Sequence, residues 1–162
     1  MKKTLILGYG NPDREDDGVS WHIMKMVCEE LGRKAPQTYL DDFPASEDTP
    51  DFLFALQLTP EFAETLANYD RVCFIDAHTG SVPRDVNFVE LRAEFQSSPF
   101  THHMTPSTCL VLAETLYGTT PKAVLVSVRG YQFEFQNGLS PATESHARDA
   151  AAIILDWLKS EM

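Results

Sequence analysis

The sequence predicts an α/β protein: a three-layer α/β/α arrangement with a central twisted, mostly parallel sheet flanked by helices. Three observations predict it. Strand and helix signals alternate along the whole chain, the pattern of strands joined by crossover helices. Several strand segments, residues 4–7, 71–75 and 123–128, are near-continuous apolar runs, as expected where helices cover both faces of a sheet. Thr105-Pro106 and Ser140-Pro141 each read as an N-cap followed by a first-turn proline.

In chain order, residues 4–7 form the first strand and run into glycines. Val19, Ile23, Met26, Val27 and Leu31 then recur at helical spacing, with Gly32 as the stop. Residues 52–56 read as a strand. Thr59-Pro60 is expected to open a short helix through Phe62, Leu66 and Ala67. Residues 71–75 are a buried strand ending at Asp76, and residues 86–91 a strand suited to an edge. Thr105-Pro106 begins a helix bearing Cys109, Leu112, Ala113 and Leu116 and closed by Gly118. After the strand at 123–128, Ser140-Pro141 opens the last helix, whose Ala150, Ile153, Ile154 and Trp157 share one face. Residues 36–50 and 92–101 read as irregular, and neither is long enough to divide domains. One domain spanning residues 1–162 is expected.

Hydrophobic residues make up 43% of the chain and charged residues 23%, proportions that suit a soluble globular domain. The net charge of −11 argues against nucleic acid or an anionic membrane as partner. No apolar run approaches membrane-spanning length, and the apolar start is too short and too soon interrupted by acids for a signal peptide. Cys28, Cys73 and Cys109 form no CxxC pair, so neither a disulfide framework nor a structural zinc site is expected. A reducing cytoplasm is the simplest compartment.

The chemistry concentrates in the turn after the first strand, Gly8-Tyr9-Gly10-Asn11-Pro12-Asp13-Arg14-Glu15-Asp16-Asp17-Gly18. It begins as a nucleotide-binding turn would. However, Asp13 stands where the dinucleotide fingerprint has its third glycine, and the acids would repel phosphate. The turn therefore suits a cation or proton chemistry. In open α/β sheets ligands gather beyond the carboxyl ends of the strands. The acidic turn, Asp76 and the pair His102-His103 all fall there on this reading. Two carboxylates and an imidazole make an oxygen/nitrogen ligand set for a divalent transition metal, with positions open for water or substrate. Each residue also has an ordinary structural reading: Asp16 or Asp17 as a helix cap, Asp76 as an Asp turn, and the histidines as solvated surface. Cys109 reads as core, and His22 and His146 as surface or packing residues without nearby partners. No GxSxG elbow, Walker lysine or HExxH pair is present.

The GxGN turn (Gly8, Gly10, Asn11), the Asp16-Asp17-Gly18 triplet, Asp76-Ala77, His103 in a His-x-x-Pro helix start and Gly138-Leu139-Ser140 resemble the hydrogenase maturation proteases. These are the endopeptidases that trim the C-terminus of a [NiFe]-hydrogenase large subunit. The resemblance spans almost the full chain in the family's order. It implies a metal-binding triad of Asp17, Asp76 and His103, with Asp16 and His102 as competitors for the first and last places. Asp17 and Asp76 are the implied catalytic carboxylates, and Gly8, Gly10 and Asn11 shape the turn for an approaching substrate tail. It further implies that nickel already seated in the precursor is what the triad recognises. Ser20 departs from the pattern where a glycine is common, and residues 57–61 replace an Asp-Gly-Gly-Thr loop. These departures bear on substrate choice more than on the reaction. Two other readings stand beside this one: a receiver-like, magnesium-dependent phosphoacceptor module, and a paralogue that binds precursor without cleaving it.

Overall fold

A computed structural model describes residues 2–94 and 104–160. The chain order is β1 (Thr4–Tyr9), a 3-10 turn (Glu15–Gly18), α1 (Val19–Glu30), β2 (Asp51–Ala55), α2 (Phe62–Leu66), β3 (Arg71–His78), β4 (Val86–Leu91), α3 (Pro106–Tyr117), β5 (Lys122–Arg129) and α4 (Pro141–Lys159). The five strands form one sheet in the order β2-β1-β3-β5-β4. All neighbours are parallel except β4, which runs antiparallel along β5 at the edge. This is the expected α/β architecture.

Alternation along the strands assigns the two faces. Ile6, Cys73, Ile75, Val124, Val126 and Val128 pack with α1 and α4. Leu5, Leu7, Val72 and Phe74 point the other way and pack with α2 and α3, as a period of two requires. Both clusters are closed to solvent at their centres, with Phe74, Leu7, Ile6 and Ile75 fully buried.

The capping signals are honoured at two of the three Ser/Thr-Pro pairs. Thr105 and Ser140 are N-caps whose side chains accept the Thr108 and Thr143 N–H groups. At Thr59-Pro60 the chain instead makes a turn, with Phe62 N–H bonded to the Thr59 carbonyl, and α2 begins at Phe62. A helix of five residues leaves little for a cap to organise. Leu116, expected on the apolar face of α3, is 63% exposed, because burial in α3 ends at Ala113 and its last turn projects past the core. Trp157 is half-buried, its ring lying under the Arg71 guanidinium at 4.1 Å. No described helix is long and apolar enough to cross a membrane.

Candidate active site

In the strand order, β1 leads through α1 to β2 on one side and β3 lies on the other. The crevice at the carboxyl ends of β1 and β3 is therefore the topological switch point, where such sheets bind ligands. Tyr9 ends β1, and Asp76 lies in the last turn of pleat of β3. The 3-10 turn carrying Asp16 and Asp17 sits beside them.

The two aspartates of that turn have different surroundings. Asp16 is fully buried. Its Oδ2 accepts the Tyr131 N–H (2.8 Å), the Gln132 N–H (3.0 Å) and the Ser140 hydroxyl (2.7 Å), and its Oδ1 accepts the Ser140 N–H (2.8 Å). Burial alone would raise its pKa; these bonds outweigh burial and hold it below the usual carboxylate value. With these four donors Asp16 bolts the loop after β5 to the acidic turn. Glu15 assists by accepting the Glu134 N–H at 3.0 Å. Neither acid caps α1, whose N-cap is Gly18 without a side-chain bond.

Asp17 is half-buried, and its Oδ2 accepts the Asn11 N–H at 2.9 Å. No described residue donates to its Oδ1. Asp76 accepts the Ala77 N–H on Oδ1 (2.7 Å) and the Tyr9 hydroxyl on Oδ2 (3.1 Å). Burial pushes the Asp76 pKa up to about 6, the Tyr9 and Ala77 bonds oppose the rise, and the Asp17 charge adds to it. Asp76 thus feels the charge of Asp17, and the two carboxylates share the crevice. The same burial, and the Asp76 charge, push the Tyr9 phenol well above its ordinary value, so Tyr9 stays a hydrogen-bond donor.

The glycines serve the turn's own packing. Gly10 has φ +139°, and a Cβ there would lie 2.1 Å from the Asp17 carbonyl oxygen. At Gly8 a Cβ would meet the Met24 Sδ at 2.5 Å and the Ser20 Cβ at 3.1 Å, so this glycine lets α1 pack closely on β1. Ser20, the departure noted in the sequence, donates its hydroxyl to the Ile75 carbonyl at 2.8 Å. It thereby ties the start of α1 to the residue before Asp76.

His102 and His103 lie outside the described residues. The chain re-enters at Met104, and α3 begins beside the crevice, since the Cys109 thiol of its first turns is close enough to Tyr9 to perturb it. Cys109 is fully buried, as expected of a core residue. His146 does have partners: its Nε2 lies 3.0 Å from the Tyr131 hydroxyl and 3.8 Å from Asp85. Among the described residues no three His, Cys, Asp or Glu side chains converge as a metal site. Asp17 and Asp76 supply oxygen donors suited to a divalent ion, and the third position of the expected triad falls in the segment not described. The residue that sequence reasoning missed is Tyr9; a phenol at the tip of the first strand, one step before Gly10-Asn11, was its only signal.

Fold and site together define an α/β/α protein with an acid pair at its β1/β3 switch point. Solved structures share this fold over nearly the whole chain. The hydrogenase maturating endopeptidase HybD from E. coli is 20% identical, with 98% of this chain and 93% of that one covered at a TM-score of 0.67. The [NiFe] hydrogenase maturation protease HycI from Thermococcus kodakarensis is 18% identical, covering 98% and 94% at 0.66. The HybD protease of the same organism is 15% identical, covering 97% and 99% at 0.66. At these identities the likeness establishes the fold. No family model matches the sequence, and no curated protein matches it.

Proposed function

We propose that this protein is a cytoplasmic endopeptidase that removes a short C-terminal peptide from a nickel-loaded [NiFe]-hydrogenase large-subunit precursor. The observation that carries the reading is the Asp17–Asp76 pair at the switch point of a fold shared end to end with solved hydrogenase maturation endopeptidases. The nickel belongs to the substrate. Asp17, Asp76 and His103 would recognise it, and a metal so held polarises a carbonyl or acidifies a bound water.

The chain's own residues supply the remaining chemistry. Asp17, with one oxygen on the Asn11 N–H and the other without a donor among the described residues, is placed to offer that oxygen as a ligand to the metal. Asp76, with its pKa raised to about 6, is ionised at neutral pH yet basic enough to accept a proton from an attacking water, as a general base must. Asp16 is fully buried and tied down by four donors, out of reach of a substrate for either role. Its burial also counts against the receiver-like reading, which needs two free acids after the first strand. Arg129 ends β5 where a receiver would offer lysine.

The test is mass spectrometry of a nickel-loaded precursor before and after incubation with the protein. Loss of one short C-terminal peptide is expected, with none from nickel-free precursor. Asp17→Asn, Asp76→Asn and His103→Gln should each lower processing on the order of 100-fold or more while the variants remain folded. Full processing by all three would sink the proposal. Tight precursor binding without any cleavage by the wild type would favour the scaffold reading.

A further inference from the structure

We infer that Tyr9 is the positioning residue of the site: its hydroxyl fixes the plane of the Asp76 carboxylate. This rests on the proposed role of Asp76. The Ala77 N–H holds Oδ1, but a single donor leaves a carboxylate free to swing about that bond. The second donor stops the swing. Tyr9 faces Asp76 across the β1–β3 ladder, where the register pairs Gly8 with Ile75. Its ring packs against the apolar cluster under α2 and α3, so the hydroxyl is a fixed point in space. With one bond on each oxygen, each retains lone-pair capacity directed by the frozen plane.

The residues that follow serve the other acid. The Asn11 N–H holds Asp17, and Gly10 between them occupies a place with no room for a side chain. Residues 9–11 thus orient both carboxylates from one short piece of chain. Tyr9 is the member whose contribution can be removed without disturbing the backbone, because phenylalanine keeps the ring and loses only the donor.

The experiment compares the full-length wild type with Tyr9→Phe at pH 7.5, using carbon-13 NMR of the aspartate carboxyl carbons assigned with Asp76→Asn and Asp17→Asn. The Asp76 signal should move and the Asp17 signal should stay. Co2+ titration, followed by its visible absorption, should show affinity reduced about 10-fold and an altered band shape. With processed precursor as the readout, kcat should fall about 10- to 100-fold with KM changed less than about twofold. The melting temperature should change little. An unmoved Asp76 signal overturns the inference, as does a kcat loss matched by Tyr9→Phe unfolding; Tyr9→Met, which keeps bulk without a donor, must reproduce the effect. If the wild type processes no precursor, the proposed function fails, while the carboxyl signal still decides the role of Tyr9.

Discussion

At the residue scale the site is a lesson in how identical side chains diverge. Asp16 and Asp76 are both withdrawn from water, yet their pKa values move in opposite directions. Asp76 has a folded-state pKa of about 6, above that of an unfolded aspartate. Its contribution to stability is therefore fully present below the unfolded pKa and is lost as pH rises through about 6. Asp76→Asn should raise stability by about 3 kcal/mol at pH 7.5 and by almost nothing near pH 3.5. Urea unfolding at the two pH values measures the difference. In the wild type, processing should fall off on the acid side as Asp76 protonates near pH 6. Asp16 has a lowered pKa, so its stabilisation is present above the unfolded value and is lost as pH falls through the folded one. Asp16→Ala strands three backbone N–H groups and the Ser140 hydroxyl. It should cost on the order of 3–5 kcal/mol in denaturant unfolding.

At the element scale, turns and caps hold the acids in register. Gly10 combines a positive φ with a 2.1 Å approach to the Asp17 backbone, and backbone cannot step aside. Gly8 abuts mainly the end of the Met24 side chain, which has some freedom to move. Gly10→Ala should therefore destabilise by about 3 kcal/mol or more, and Gly8→Ala by less. Thermal melts of the two variants check the ordering. Much at this scale was legible beforehand. Thr105 and Ser140 announced their helices because an N-cap and a first-turn proline act over four residues. The same signal failed at Thr59-Pro60, where the helix that follows is too short to depend on it. The reach of β3 to His78, past the expected end at Asp76, was hidden because ladder bonds to Ala77 and His78 come from β5, not from local propensity.

At the scale of the whole molecule, the two apolar layers meet the site unequally. The α2/α3 cluster carries the Tyr9 ring at its border and Phe74 at its centre. Phe74→Ala should cost about 3–5 kcal/mol and also loosen Tyr9. Its precursor processing, measured where the variant is still folded, should fall more than a surface substitution allows. The opposite layer, of α1 and α4, reaches the site through Ser20 at Ile75 and Ser140 at Asp16.

The sequence by itself determined the α/β class, the capped starts of α3 and α4, and the gathering of acids after the first strand. These follow from periodicity and from residue types acting over a few positions. Only the tertiary structure decided which acid of the 16/17 pair is free and what Asp76 touches. A carboxylate's role depends on the donors around it, and those come from far along the chain: Ser140 reaches Asp16 across 124 residues, and Tyr9 reaches Asp76 across 67. No local pattern encodes such contacts, because packing of the whole sheet and its helices must first bring the partners together.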